Sequence, residues 1–278
     1  MRPRFPRFSI VACPDCGLLF YDGPPPPSDL YSAAYFAGGE YRDYEEDKAV
    51  LQRNFRRRIA RLRGWAPEGR LLEIGCAHGY FLEVARAHWT VRGIDISADA
   101  VARARAAGLD ADAGEFLEMP EEPGRYDLVC LWDTIEHLER PIETLEKAAR
   151  WLAPGGTLAL TTGDAGSLLA RLQGEKWRQI HPPTHLFYFT RPTLARAFAK
   201  AGLETVEIGT IGHSRSYRSM LFGLLELGRP NPSRAYRLLT AGGRLDFPVS
   251  LNLFDIVLAA ARKPRAVEGL ARDGVSAR

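Results

Sequence analysis

Cysteine is scarce in this chain, with four residues, Cys13, Cys16, Cys76 and Cys130, among 278. So few exclude a disulfide framework, and a chain of this length buries a large core without staples. Cys76 and Cys130 sit inside apolar runs and read as reduced core residues. Long hydrophobic runs are missing too: no stretch reaches the roughly 18 apolar residues of a membrane-spanning helix. The basic start from Met1 to Gly17 lacks the apolar segment and cleavage site of a signal peptide. The cytoplasm is therefore the default location. Charge of one sign is also lacking. The formal net charge is +3, too small to indicate a nucleic-acid or membrane partner.

What is present is alternation. Residues 1–48 stand apart, with Cys13-Pro-Asp-Cys-Gly17 and a stiff run from Pro24 to Pro27. They are expected to form an N-terminal extension that packs on the main domain. Lys48–Arg63 has helical spacing at Val50, Leu51, Phe55, Ile59 and Leu62. The arginines Arg53, Arg56, Arg57, Arg58, Arg61 and Arg63 cluster on this helix and read as a solvated face, with a phosphate-bearing or sugar-nucleotide acceptor as the sharper reading. Strands are predicted at Arg70–Cys76, Val91–Ile96, Leu109–Ala113, Tyr126–Trp132, Thr157–Thr162, Leu203–Ile208 and Asn252–Ala261. Helices are predicted at His78–His88, Ala98–Ala107, Pro141–Leu152 and Pro192–Ala201. This rhythm indicates a doubly wound α/β domain over residues 49–264, with a mostly parallel sheet. Segments 163–191 and 210–247 are expected as lid or insertion, the latter with an apolar helix at Met220–Leu227. Residues 265–278 read as a disordered tail.

The strongest motif is Leu71-Leu-Glu-Ile-Gly-Cys-Ala-His-Gly79, which follows the first strand of the alternation and opens the next helix. Gly75 lets the backbone turn sharply and lets a ligand approach it. A dinucleotide fingerprint would need glycine where Ala77 and Tyr80 stand, so that rival fails. Asp95 ends the second strand, where a carboxylate can accept both hydroxyls of a ribose.

Taken together, Glu73-x-Gly75-x-x-x-Gly79, Asp95, Tyr126–Val129 and Leu152–Gly156 resemble the class I S-adenosylmethionine-dependent methyltransferases over about residues 50–264. The resemblance implies a Rossmann-like, seven-stranded sheet with an antiparallel last strand, and S-adenosyl-L-methionine as cofactor. It implies that the loop Gly75, Cys76, Ala77 and Gly79, with Glu73 before it, wraps the methionine part. Asp95 and Ile96 would meet the ribose and its neighbourhood, Glu115 the adenine amino group, and Trp132 and Asp133 the pocket wall. Many members carry a third glycine where Ala77 stands. Four further segments, 13–20, 135–141, 182–190 and 252–264, resemble a bacterial group of small-molecule and glycan-associated methyltransferases. The Cys13/Cys16 pair is similar to half of a zinc ribbon. With no second pair it is read as a degenerate, metal-free knuckle.

Two histidines are candidates for a general base that takes the acceptor's proton. His185 lies in an aromatic, proline-rich segment; the alternative is a histidine that hydrogen-bonds within the lid and packs against Phe187 or Tyr188. His137, with Asp133 and Glu136, repeats a spacing found in some quinone-type O-methyltransferases, where such residues can hold a divalent ion. The plainer reading is a pocket wall, and no metal is assigned. Trp177, Phe187, Tyr188 and Phe189 offer an aromatic acceptor pocket. The expected function is methyl transfer to a small-molecule or glycan-linked acceptor, at oxygen or carbon, with no nucleic-acid partner. RNA or protein methylation, and a cofactor-binding module without turnover, are the alternatives. A homodimer through the 210–247 insertion stays open.

Overall fold

The computed structural model describes residues 2–27, 47–217, 233 and 248–265. The expected helix Met220–Leu227 and tail beyond residue 265 lie outside the described residues, as does most of the 210–247 insertion.

Three short strands come first: β1 (Arg2–Phe5), β2 (Ile10–Ala12) and β3 (Leu19–Tyr21). Helix α1 (Lys48–Trp65) leads into β4 (Arg70–Ile74), α2 (Tyr80–Ala85), β5 (Thr90–Asp95), α3 (Ala98–Ala106) and β6 (Ala111–Ala113). Then come β7 (Tyr126–Trp132), α4 (Pro141–Trp151), β8 (Leu152–Gly163) and α5 (Leu168–Gln173). The chain continues through β9 (Phe187–Tyr188), α6 (Arg191–Lys200), β10 (Glu204–Thr210), β11 (His213–Ser216), β12 (Pro248–Leu251) and β13 (Ile256–Arg262).

The central sheet has seven strands in the order β10-β13-β8-β7-β4-β5-β6. Strand β13 runs antiparallel to both β8 and β10, while β8, β7, β4, β5 and β6 are parallel. The expected Rossmann-like sheet is therefore the one observed. Its inner strands β4, β7, β8 and β13 are mostly buried and largely apolar because both faces are covered, whereas β10 at the edge is exposed from Glu204 to Val206. Successive residues point to opposite faces: Leu128 and Cys130 join the core under α1, α2 and α3, whereas Val129 and Leu131 join the core under α4 and α6.

Strand boundaries differ from expectation where single residues leave the extended region. Helix α2 starts at Tyr80 because Gly79, at φ 76°, caps it in the left-handed conformation. The last strand starts only at Ile256, since Phe254 turns at φ 57° and its N–H donates to Asn252 Oδ1.

A second, small sheet has the order β1-β2-β3-β9. Its last member comes from the 163–191 segment, so the first residues of the chain hold that segment in place. Tyr21 N–H donates to Leu186 O at 2.8 Å, and Leu186 N–H donates to Glu136 O at 2.8 Å. Strands β11 and β12 form a separate two-stranded ribbon. Among the described residues, no helix is long and apolar enough to cross a membrane.

Candidate functional site

Strand β4 has β5 on one side and β7 on the other, so the strand order reverses there and a crevice opens at the carboxyl ends. The backbone after Ile74 turns through left-handed positions at Gly75 (φ 79°), Ala77 (φ 46°) and Gly79 (φ 76°). Asp95 locks this turn. Its Oδ2 accepts from Ala77 N–H at 2.7 Å and its Oδ1 from Ser97 N–H at 2.9 Å. Burial raises the Asp95 carboxyl above its usual range, and the two amide donors oppose that. Each oxygen keeps a second lone pair for a ligand.

A cavity of about 360 Å³ lies against this turn. Seven of the ten expected cofactor residues line it: Gly75, Ala77, Asp95, Ile96, Glu115, Trp132 and Asp133. Glu73, Cys76 and Gly79 stand behind the lining. Cys76 is buried, and its Sγ would lie 2.6 Å from a Cβ at Gly93, so it packs in the core. A Cβ at Gly79 would meet Leu109 Cδ1 at 2.4 Å, so that glycine serves helix packing. Glu73 is 3% exposed and its Oε2 has no hydrogen-bond partner among the described residues. Burial, with the Asp95 charge adding to it, pushes its carboxyl well up, while Arg58 pulls the other way.

Arg58 corrects the solvated-face reading of α1. It is 2% exposed and lines the cavity. One Nη lies 3.1 Å from His213 Nε2 and 3.4 Å from Asp133 Oδ2, and the guanidinium sits 4.9 Å from the Trp132 ring centre. Its Nε, and the Trp132 indole nitrogen, are buried donors without partners among the described residues. The signal for Arg58 was the i, i+4 row Asn54, Arg58 and Leu62, which is the buried face of α1. Asn54 pins β11 through two bonds to the Ser214 backbone, at 2.9 and 2.8 Å, and so sets His213 beside Arg58. Burial alone would raise Asp133, but the Arg58 and His213 charges hold it below its usual range.

Asp133, Glu136 and His137 do not share a helix face. Asp133 sits at φ 50° and turns toward Arg58, while Ile135–His137 is a single 3-10 turn. Glu136 and His137 meet His185 instead. The His137 and His185 rings lie 4.6 Å apart, edge to face. His137 Nδ1 donates to Thr184 O at 2.8 Å, and His185 Nδ1 donates to Gln179 O at 3.0 Å. Burial pushes His137 down to about 4 against the pull of the Thr184 carbonyl. Burial, with His137 and His181 nearby, lowers His185 well below its usual value. Glu136 is pushed up to about 8 by burial and by the Asp133 charge. His137 lines the cavity and His185 stands behind it, 6% exposed.

The expected aromatic acceptor pocket is not formed by these residues. Trp177, Tyr188 and Phe189 are buried in core clusters, Phe187 packs against one of them, and none lines the cavity. Neither Cys13 nor Cys16 lines the cavity; they sit at a turn where Gly17 N–H donates to Cys13 O, and neither is in a disulfide.

Residues 46–208, more than half of the chain, match a family model described as a methyltransferase domain. The chain belongs to this family. It is an S-adenosylmethionine-dependent methyltransferase. The chain is 33% identical over 162 residues to a ubiquinone biosynthesis O-methyltransferase of Burkholderia pseudomallei (strain 1710b), covering 53% of this chain and 69% of the relative. It is 30% identical over 217 residues to the biotin biosynthesis bifunctional protein BioCD of Bordetella avium, covering 71% of this chain and 44% of that one. Among solved structures, magnesium protoporphyrin IX methyltransferase (ChlM) from Synechocystis PCC 6803 superposes with a TM-score of 0.55 at 15% identity, over 84% of this chain and 97% of that one. A methyltransferase from Archaeoglobus fulgidus gives 0.54 at 19% identity, over 80% and 100%. These two likenesses concern the fold alone.

Proposed function

We propose that the cavity between β4 and β7 holds S-adenosylmethionine, and that the methyl group passes to a small-molecule acceptor at the wall that carries His137. The observation that carries this reading is Asp95, whose carboxylate ties down the glycine turn and faces the cavity. Its remaining lone pairs suit two ribose hydroxyls. Glu115 suits the adenine amino group, and Ile96 and Phe116 offer apolar contact for the base. Arg58 and the Trp132 indole N–H suit the carboxylate of the methionine part, since both present buried donors at the opposite end. Glu73 acts from behind the turn.

The cofactor supplies an activated methyl group on a sulfonium, already a good leaving group. This chain's residues must then orient donor and acceptor, and exclude water. An acceptor hydroxyl or acidic carbon must also lose a proton. His137 and His185 assist that loss, with His137 at the wall and His185 positioning it. Membership of the family, and a relative named as an O-methyltransferase, favour a hydroxyl on a small molecule. A glycan-linked hydroxyl is the narrower form of the same reading. A nucleic-acid acceptor is disfavoured by the small net charge of +3.

Calorimetry tests the cofactor assignment. The protein should bind S-adenosylmethionine and not NADH. Asp95→Ala should weaken binding at least tenfold, a loss of about 1.4 kcal/mol. Unchanged affinity would remove Asp95 from the site.

A further inference from the structure

Two arginines of α1 have clear employment: Arg58 turns into the cavity, and Arg61 pairs with Glu207. Arg57, between them in sequence and space, has no acidic partner among the described residues, and it is exposed. It lies one helical turn from both Arg53 and Arg61, so like charges share one row of the helix, which is unfavourable unless an anion relieves it.

Hydroxyls hold Arg57 instead. One Nη donates to Ser214 Oγ at 3.0 Å, the other donates to Ser250 Oγ at 3.1 Å, and the two hydroxyls lie 2.7 Å apart. Ser214 and Ser250 face each other across the ribbon of β11 and β12. Asn54, one turn before Arg58, pins Ser214 by its backbone. The guanidinium is therefore positioned before any ligand arrives. Its hydrogen bonds are not exhausted. A guanidinium has five N–H donors, and two are spent here, which leaves three. The bond between the hydroxyls uses one of their two protons, since both oxygens accept from Arg57. Ser214 is 2% exposed and Ser250 is exposed, so the Ser250 proton is the one left at the surface.

We propose that Arg57, Ser214 and Ser250 form a binding site for a phosphoryl group. Phosphoryl oxygens only accept, and the guanidinium fork matches their spacing. Their negative charge answers the unpaired charge of Arg57 and the like-charge row that Arg53 extends. With several oxygens on one phosphorus, the group can meet the remaining N–H donors and the Ser250 hydroxyl together. The site adjoins the cavity through both of its elements. Arg57 precedes Arg58 and Ser214 follows His213, and both of these neighbours line the cavity. A phosphoryl group borne on the methyl acceptor would be gripped here while its body enters the cavity; a free phosphate ion offers the same chemistry. The acceptor-borne form rests on the methyl-transfer reading above; the phosphoryl site does not.

The test is calorimetry on the full chain at low salt, where exposed charges are least screened, with inorganic phosphate and phenyl phosphate as probes. One site per chain is expected for both. Arg57→Gln should weaken both at least tenfold, and Ser250→Ala should weaken both by less. Arg63→Gln, an exposed arginine of the same helix, should bind both as the unaltered protein does. All three variants should bind S-adenosylmethionine normally, which shows that they fold. Phenyl phosphate bound at least tenfold more tightly than phosphate would support an acceptor-borne group, with its ring against Leu51 and Phe55 of the lining. Equal affinities would support a free ion at the same site. No phosphate binding, or equal weakening by Arg57→Gln and Arg63→Gln, would overturn the site, the second by showing a diffuse basic face. Phosphate binding without S-adenosylmethionine binding would sink the cofactor reading and leave this site standing.

Discussion

Ala77 holds a left-handed backbone, φ 46°, at the centre of the cofactor turn. A side chain with a Cβ is strained there by about 1–2 kcal/mol. The Asp95 carboxylate, bonded to Ala77 N–H at 2.7 Å, keeps it in place. Replacing Ala77 by glycine removes the strain but frees the unfolded chain, which offsets about 0.4–1 kcal/mol. Ala77→Gly should therefore raise stability by up to about 1 kcal/mol in urea unfolding, with cofactor affinity within a few fold. A clear loss of stability would show that the methyl group packs usefully. Arg58 illustrates the opposite case, a costly residue held for its charge. It is buried beside Asp133 with one nitrogen unpartnered. Arg58→Gln should cost about 1 kcal/mol, because the Asp133 side chain it leaves is 39% exposed and water screens its charge. The same variant should weaken S-adenosylmethionine binding in calorimetry.

At the scale of elements, the segment between β8 and α6 is tied to the start of β13 by one carboxylate. Asp255 accepts from Trp177 Nε1 at 2.9 Å and from Arg178 at 3.1 and 2.9 Å. Burial opposes its ionisation, but these bonds more than compensate and hold it below its usual 3.8. A carboxyl with a depressed folded pKa contributes stability above its unfolded pKa and loses it as pH falls through the folded value. The protein should thus lose stability as pH falls below about 4. Asp255→Asn should be less stable at neutral pH yet show a shallower acid limb in melting curves. An unchanged limb would assign acid sensitivity elsewhere.

The whole molecule joins two sheets through a two-residue strand. Strand β9 pairs with β3, and its neighbour Leu186 bonds to the Glu136 carbonyl, so the N-terminal strands reach the acceptor wall at second hand. Ile10 is fully buried in the small sheet's core with Trp177, Ile180 and Tyr188. Ile10→Ala should loosen this sheet by about 2–5 kcal/mol of local stability. Hydrogen exchange should speed up at residues 10–21 and 186–188. Affinity for S-adenosylmethionine should change little, because Ile10 does not line the cavity. Coupled loss of cofactor binding would mean that the two sheets unfold as one unit.

What was readable without a structure was local. The alternating apolar runs, the bend at Gly75 and the acid at the end of β5 lie within short stretches whose period or spacing carries the information. Cys76 and Glu73 were placed one layer too far forward, because alternation along a strand leaves open which face meets a ligand. Arg58 near Asp133, and His185 beside Glu136 and His137, join residues 75 and 48 positions apart. No periodicity reports such contacts; helix α1 closing over the sheet and β9 pairing with β3 create them. Burial then decides the chemistry, since a carboxylate or imidazole removed from water takes its charge state from the neighbours that packing supplies.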